Sequence, residues 1–179
     1  MGLKPLFEAQ FLDNTALPVI NATSGVSGAG RKATMTNSLC EVSLQAYGVL
    51  SHRHQPEISS HLGTEVIFTP HLGNFKRGIL ATITAKLHES VTADQIESAY
   101  QQVYEGSDIV KLVGSWPKLE QVVNGPQCHI HWKYSADNHY IVVTSAIDNL
   151  LKGAASQAMQ CANLVSGFDV ALGLTGGMA

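Results

Sequence analysis

The 179-residue sequence has few charged residues, few basic residues and no long apolar run. Charged residues make up 14% of the chain, and the 11 Lys and Arg residues are scattered and outnumbered by 14 Asp and Glu residues. A general nucleic-acid-binding protein normally carries a basic stripe, so the composition argues against that class of partner. No stretch approaches the roughly 18 apolar residues of a membrane span, and no charged start followed by an apolar run marks a signal peptide. We therefore expect no nucleic-acid partner and no membrane partner.

Cysteine is also scarce. The three cysteines, Cys40, Cys128 and Cys161, are odd in number and form no CxxC pair. A disulfide framework is therefore not expected, and a reducing, cytoplasmic location is the simplest interpretation. The 45% content of hydrophobic residues favours a compact fold, and the length suffices for one domain with its own core. We predict a single domain over residues 1–179, with a Gly- and Ala-rich tail at 166–179 that frays.

Hydrophobic periodicity predicts seven strands and two helices. The predicted strands cover residues 17–22, 40–50 with a continuation into 51–58, 65–69, 78–87, 109–113, 127–134 and 140–147. One predicted helix covers 92–104, where Thr92 and Gln95 form a capping box. This order of elements predicts an α+β fold, with a mixed, largely antiparallel sheet and helices on one face.

The second predicted helix covers residues 148–165, with Asp148 as its N-cap. A stripe of small and apolar side chains runs along it, and we expect this stripe to lie against the sheet. The stripe consists of Leu151, Ala154, Ala155, Ala158, Ala162 and Val165.

A glycine-rich segment, TSGVSGAGRK at 23–32, follows the first predicted strand. Glycines such as Gly28 and Gly30 permit tight turns and close approach of the backbone to a ligand. Ser27 and the loop amides are suited to hold an anion, with Arg31 beside them. The spacing does not match a P-loop, so an ordinary connection stays open as the alternative.

The segment SHRHQPEI at 51–58 is rich in polar side chains. In a continued strand, His52 and His54 would point to the same side. A histidine oriented by Glu57 can act as a general acid/base near neutral pH, and Arg53 is suited to bind an anionic substrate. A metal would need a further ligand from elsewhere, and no tight spacing supplies one, so we predict no metal site. A polar strand end remains the other interpretation.

Asn149 and Lys152 have the i, i+3 spacing that puts both on one face at the start of the last predicted helix. A helix start with a lysine favours a nearby anion, although a solvated first turn gives the same pattern. Cys40 is a candidate nucleophile beside the histidines. However, no local signature supports that role, and strand cysteines are usually inert.

Four segments together resemble a known family. They are INATSGVSGAGRK at 20–32, YGVLSHRHQPEI at 47–58, TPHLGNFKRGILAT at 69–82 and DNLLKGAASQAMQ at 148–160. In this order they resemble N-acetyl-gamma-glutamyl-phosphate reductase, and the likeness runs from about residue 3 to about residue 165. The resemblance implies a fold like the C-terminal domain of glyceraldehyde-3-phosphate dehydrogenase and the semialdehyde dehydrogenases.

The resemblance also implies a reaction, the NADP-dependent conversion of N-acetyl-glutamyl phosphate into N-acetyl-glutamate semialdehyde in arginine biosynthesis. In such enzymes a cysteine thiolate attacks the acyl carbon, a hydride from the nicotinamide reduces the thioester, and a histidine handles the proton. The implied acid/base is His54, with His52 as the alternative, and Glu57 orients it. The implied substrate contacts are Arg53, Arg77 and Arg31. The implied cofactor contacts are Ser27, Gly28, Gly30, Asn149 and Lys152.

This sequence departs from the family in lacking the nucleotide-binding domain and the nucleophilic cysteine. The segment Leu3-Lys4-Pro5 resembles the one that follows the nucleophile motif. We therefore expect the second, catalytic and dimerisation domain only. We expect this chain to be inactive alone and to bind no NADP, because the contacts made by the nucleotide-binding domain would be missing. We expect it to form a homo-oligomer, a dimer or a tetramer, through its sheet.

Two interpretations from other classes remain open. One is a self-associating module without catalysis of its own, and the other is a small metal-dependent hydrolase that uses the histidines. The reductase interpretation predicts that His52, His54, Arg31 and Asn149 surround one shared hollow.

Overall fold

The computed structural model of the chain describes residues 1–30 and 38–175. Its α-helices are α1 (Lys4–Glu8), α2 (His54–Leu62), α3 (Ala93–Tyr104) and α4 (Ser156–Val165), and a π-helical turn (Leu151–Ala155) precedes α4. Its strands are β1 (Val19–Gly25), β2 (Gln45–Ala46), β3 (Ile67–Gly73), β4 (Ile79–Lys86), β5 (Val110–Leu112), β6 (Cys128–Ser135) and β7 (Tyr140–Ile147).

These strands form a seven-stranded sheet in the order β2-β3-β1-β4-β7-β6-β5. The pairs β1–β3 and β5–β6 are parallel, and the other neighbouring pairs are antiparallel. The predicted α+β fold with a mixed, largely antiparallel sheet is confirmed.

The core lies on one side of the sheet, which we call the inner face. Ile20, Ile83, Val143 and Trp132 stand directly opposite one another across four neighbouring strands and mark this face. Tyr100 of α3 stacks on Trp132 with ring centroids 5.9 Å apart, so α3 covers the inner face. The strand predicted over 78–87 is confirmed as β4, and alternate residues of β4 belong to the core.

The capping box predicted for α3 is also confirmed. Thr92 Oγ1 accepts from the Gln95 N–H at 3.3 Å, and Gln95 Oε1 accepts from the Thr92 N–H at 2.9 Å. This reciprocal pair satisfies two backbone donors that the first helical turn leaves free.

The strand predicted over 40–50 and 51–58 is wrong. Only Gln45–Ala46 is a strand, and the polar segment begins helix α2 instead. Pro56 lies in the first turn of α2, where a missing N–H costs little. Gly63 ends the helix with a φ of 81°, a conformation that favours glycine, and its N–H donates to Ser59 O.

The burial predicted for the last helix is wrong as well. Its polar side faces inward, whereas the stripe of small and apolar side chains faces outward, and Val165 is 89% exposed. In the π-helical turn before α4, Gly153 N–H donates to Asp148 O and Ala155 N–H to Leu150 O, five residues back. This wider turn changes the phase of α4 relative to a regular helix started at Asp148.

Residues 166–175 form turns after α4. The Asn163 side-chain amide donates to Val170 O at 3.3 Å and to Leu172 O at 2.9 Å, which ties these turns to the helix. Within the described ranges, no helix has the length and apolar character needed to cross a membrane.

Candidate functional site

The glycine-rich segment and the end of β7 meet at one edge of the sheet. Asn149 Nδ2 donates to Ser27 Oγ at 2.9 Å, and Asn149 Oδ1 accepts from the Gly78 N–H at 2.7 Å. Because β1, β4 and β7 are neighbours, the chain brings these three positions together. Gly28 lies at the same place, where an added Cβ would be 3.3 Å from Asn149 Nδ2. We call Ser27, Gly28, Gly30 and Asn149 the glycine-loop cluster.

The open side of this cluster is formed by Gly28 and Gly30, which are both exposed. Gly30 has a φ of 90°, and no atom of the described residues lies within 4 Å of the position that a Cβ would take. A loop of this kind lets a ligand approach the backbone closely. Arg31 lies outside the described residues.

Asp148 organises the neighbouring buried region. Its carboxylate is fully buried and accepts from Arg77 Nε at 2.6 Å, from the Asn124 N–H at 2.7 Å, and from the Leu150 and Leu151 N–H groups at 2.8 and 2.9 Å. Burial raises the pKa of Asp148, but these hydrogen bonds outweigh it and hold the pKa below its ordinary value. The predicted N-cap is confirmed.

Arg77 is therefore tied to Asp148 through one nitrogen of its guanidinium group. Its side chain is still 29% exposed, and no hydrogen bond of its terminal amino groups is found within the described residues. Arg77 thus has a structural ion pair as well as donors left for an anion.

Lys152 is turned toward its own helix. Its ammonium is buried and donates to Gln157 Oε1 and to Gln160 Oε1, both at 2.6 Å. Burial lowers the pKa of Lys152, against the smaller opposite effect of nearby thiols. Lys152, a predicted cofactor contact, thus bonds to side-chain amide oxygens of its own helix, whereas Asn149 bonds to the glycine loop.

The two predicted acid/base histidines lie together just before and at the start of α2. The His52 ring packs edge-on against the rings of Tyr47, His54 and Phe68, with centroids 5.4, 4.7 and 5.5 Å away. The His54 N–H donates to His52 Nδ1 at 3.1 Å, so neutral His52 carries its proton on Nε2. Burial, followed by the charges of His54 and Arg53, lowers the pKa of His52.

His54 has a looser environment. Its Nε2 lies 3.9 Å from Glu57 Oε2, and both side chains are about half exposed or more. An ion pair of this kind contributes little, because water screens it. Arg53 is exposed beside them. His52 is thus the oriented and less exposed imidazole, and His54 is the one that Glu57 approaches.

The predicted site residues fall into two groups. His52 contacts Phe68 near the start of β3, whereas Gly73 at its end pairs with Gly25, which leads into the glycine-loop cluster. Five residues of strand separate Phe68 from Gly73, or about 16 Å. The described residues thus contain a histidine group and a glycine-loop cluster about one strand length apart. The shared hollow stays a prediction, because Arg31 lies outside the described residues.

One polar row escaped the sequence reasoning. Lys152, Ser156 and Gln160 are spaced by four residues and lie on the buried side of the last helix. The i, i+4, i+8 spacing of polar residues was a usable signal, but the alanine stripe on the other side pointed to the opposite burial.

Within the described residues, no group of three or more His, Cys, Asp and Glu side chains is arranged to hold a metal ion. Cys128 is buried, and Cys40 and Cys161 are exposed.

Solved structures with this fold include semialdehyde dehydrogenases. Aspartate semialdehyde dehydrogenase II from Vibrio cholerae has a TM-score of 0.71 at 15% identity, over 93% of this chain and 58% of that one. Aspartate semialdehyde dehydrogenase from Francisella tularensis has a TM-score of 0.68 at 14% identity, over 92% of this chain and 61% of that one. At such low identity these likenesses concern the fold alone.

Close relatives carry the name N-acetyl-gamma-glutamyl-phosphate reductase. The protein from Pseudoalteromonas atlantica is 63% identical over 173 residues, which are 97% of this chain and 51% of that protein. The protein from Vibrio parahaemolyticus is 60% identical over 169 residues, which are 94% of this chain and 50% of that protein. The chain thus spans about half the length of these relatives.

A family model described as "Semialdehyde dehydrogenase, dimerisation domain" matches residues 1–149. The match covers all seven strands of the sheet, the histidine group and the glycine-loop cluster. This chain therefore belongs to the semialdehyde dehydrogenase dimerisation domain family.

Proposed function

We propose that this chain is the catalytic and dimerisation half of a cytoplasmic N-acetyl-gamma-glutamyl-phosphate reductase. The complete enzyme would reduce N-acetyl-glutamyl phosphate to N-acetyl-glutamate semialdehyde with NADPH, in arginine biosynthesis. The observation that carries the proposal is the 63% identity, over 97% of this chain, to a protein of that name. The nucleotide-binding half and the nucleophilic thiol would come from the other half of the enzyme.

The cofactor side of the proposal uses the glycine-loop cluster. Ser27, Gly28, Gly30 and Asn149 would lie along the nicotinamide end of NADP, which supplies the hydride. The exposed backbone at Gly28 and Gly30 fits a close approach by a ligand, and the contact between Asn149 and Ser27 holds the loop in place. Lys152 is assigned no direct cofactor contact, because its ammonium is buried against Gln157 and Gln160.

The proton side of the proposal uses the histidine group. His52 or His54 would exchange a proton with the reacting oxygen, and Glu57 would orient His54. A lowered pKa keeps His52 largely neutral near pH 7, ready to accept a proton. Arg53 and Arg77 would bind the phosphate or carboxylate of the substrate, since guanidinium groups match both.

A joined enzyme tests these roles. This chain would be fused behind the first half of the Pseudoalteromonas atlantica relative and assayed by phosphate-dependent NADP reduction with the semialdehyde. We expect activity from the fused protein and none from the 179-residue chain. Replacing the acting histidine, as His52→Asn or His54→Asn, should lower kcat by about 10² to 10⁴. The matched control is His61→Asn, an exposed histidine of the same helix.

Reductase activity of the isolated chain, or full activity in both histidine variants, would contradict these assignments. A fused protein that binds NADP yet reduces neither this substrate nor a related acyl phosphate would contradict the function itself.

We also propose that the chain self-associates through the side of its sheet opposite the inner face, which we call the outer face. Thr82 lies on this face in the central strand β4 and is exposed, and Thr84 and Val142 beside it are only half buried. Central strands left open in this way favour burial against a second sheet. Sedimentation should give a dimer or a tetramer for the wild type and a monomer for Thr82→Arg. Gln102→Arg, on the exposed side of α3, should leave the oligomer intact, and a monomeric wild type would refute the assignment.

A further inference from the structure

We propose that Lys152, Ser156 and Gln160 are positioning residues that bind main-chain carbonyl groups of the segment preceding Met1 in the joined enzyme. This inference rests on the proposed function, because only a joined enzyme has such a segment next to Met1. The buried side of the last helix would thereby gain hydrogen-bond acceptors that the described residues do not supply.

The first observation is a set of buried donors without acceptors. Ser156 and Gln160 are only 4% and 6% exposed, yet Ser156 Oγ and Gln160 Nε2 have no hydrogen-bond partner in the described part of the chain. The Lys152 ammonium bonds only to two neutral amide oxygens, and no carboxylate of residues 1–30 or 38–175 pairs with it. Buried polar groups are normally satisfied, so these three side chains call for an acceptor.

The second observation is the position of the first residues. Tyr104 donates its hydroxyl to Met1 O at 2.7 Å, and Tyr100 donates its hydroxyl to Gly2 O at 2.6 Å. An added Cβ on Gly2 would lie 2.8 Å from Ile83 Cδ1, so the chain here lies directly on the inner face. The Met1 and Gly2 carbonyl groups are thereby held by two tyrosines of α3, although the Met1 residue itself is 46% exposed.

Met1 and Lys152 lie at the same end of the sheet. Tyr104, which holds Met1, ends α3 just before β5, and β5 pairs with β6 at Cys128. Cys128 lies opposite Ile147 of β7, five residues before Lys152. Burial chiefly, and then the charge of Lys152, lowers the pKa of the Met1 amino group. The buried Cys128 thiol is a common neighbour, because both cations act on it. A residue placed ahead of Met1 would turn this amino group into a peptide amide and would extend the chain into the surroundings of Lys152.

Carbonyl oxygens fit this location better than a further charged group does. The ammonium, the hydroxyl and the side-chain amide are all donors, and a polypeptide supplies one carbonyl acceptor per residue. An inorganic anion could accept from the same donors, so it is a separate outcome of the test.

The test extends this chain at its N-terminus by the ten residues that precede the matching region of the Pseudoalteromonas atlantica relative. The extension should raise the Tm of the wild type by several degrees. Lys152→Met should abolish that rise, although in the unextended chain it should leave the Tm unchanged or higher, because it removes a buried cation. Ser156→Ala should show only part of the Tm rise. This variant takes the place of Lys152→Met if Lys152→Met does not fold. Lys4→Met, an exposed lysine paired with Glu8, is the matched control and should keep the rise.

An equal rise in wild type and both variants, or no rise in the wild type, would overturn the inference. So would a Tm increase caused by inorganic phosphate alone in the unextended wild type and absent from Lys152→Met, since an anion would then be the occupant. None of these measurements needs catalysis, so an inactive joined enzyme would count against the proposed function only.

A second readout separates positioning from simple stabilisation. In the joined enzyme, the rate at which iodoacetamide alkylates the nucleophilic cysteine would be followed against pH on the peptide that contains it. Loss of a nearby cation in Lys152→Met should raise the midpoint by about one pH unit, and Lys152→Arg should restore it. An unchanged midpoint in Lys152→Met would refute the positioning role.

Discussion

Replacing Asp148 by alanine removes the acceptor on which four donors converge. Asp148→Ala leaves Arg77 Nε and three backbone N–H groups without their carboxylate, at a position where the Asp148 side chain is fully buried. The change therefore combines the loss of a helix N-cap with the loss of one partner of a buried ion pair.

The cost follows from these two losses. An N-cap is worth about 1 kcal/mol of unfolding free energy, and breaking a buried ion pair from one side costs about 3–5 kcal/mol. The Arg77 side chain is partly exposed and can turn toward water, which puts the ion-pair loss at the lower end. The two losses share the same oxygens and do not add fully, so we expect about 3 kcal/mol.

Urea unfolding followed by circular dichroism measures this cost, and a thermal scan gives a second reading. For a chain of this size, about 3 kcal/mol corresponds to a Tm lower by roughly 6–12 °C. Asp137→Ala is the control, since Asp137 is exposed in the turn between β6 and β7 and should change stability by less than about 0.5 kcal/mol. If Asp148→Ala cost no more than this control, the four hydrogen bonds would not organise this region as argued.

Three further predictions concern acid stability, thiol reactivity and close packing. The pKa of Asp148 is below its ordinary value of 3.8 in the folded chain, so its stabilising effect is complete above about pH 4 and is lost as the pH falls further. The stability difference between wild type and Asp148→Asn should therefore shrink from pH 6 to pH 3, and a constant difference would contradict the assignment. Burial raises the pKa of Cys128 to about 11, so Ellman's reagent at pH 8 should modify two thiols of the native chain and the third only after denaturation. Three fast thiols in the native chain would contradict that burial. Gly25→Ala would put a Cβ 2.7 Å from the Arg77 backbone nitrogen and should cost about 1–3 kcal/mol in urea unfolding. Gly114→Ala, with no neighbour within 4 Å among the described residues, should not.

The fold was predictable where one local pattern decides the structure. In β4 the alternation of apolar residues matches the period of a strand with one buried face, and the structure has that strand within one residue of its predicted ends. In α3 the capping box and the apolar spacing indicate the same helix. When two independent local signals agree, contacts with the rest of the chain seldom change the secondary structure that they predict.

Helix α2 was not predictable in the same way. Its sequence has no apolar stripe, and its helical signals are Pro56 in the first turn and Gly63 after the last turn. The two histidines at i, i+2 were assigned to one side of a strand, whereas the helix start brings them together through the bond from the His54 N–H to His52. Polar segments with few buried contacts take their structure from capping and turn residues.

The glycine-loop cluster depends on strand order, which local patterns do not contain. Ser27 and Asn149 are 122 residues apart and meet because β1 and β7 both neighbour β4. The sequence did identify both residues through the family resemblance, and their shared location is consistent with one role. It gave no reason to expect the histidine group about a strand length away.

The last helix shows why burial inferred from periodicity depends on what surrounds a chain. An isolated amphipathic helix buries its apolar side, but here Lys152, Ser156 and Gln160 face inward while Leu164 and Val165 are 70% and 89% exposed. Single exposed apolar side chains are ordinary, yet a helix with both sides reversed is costly unless further polypeptide contacts it. Within the described residues, donors lack acceptors on one side of this helix and apolar side chains lack cover on the other. The other half of the enzyme, as proposed above, would supply contacts to both sides.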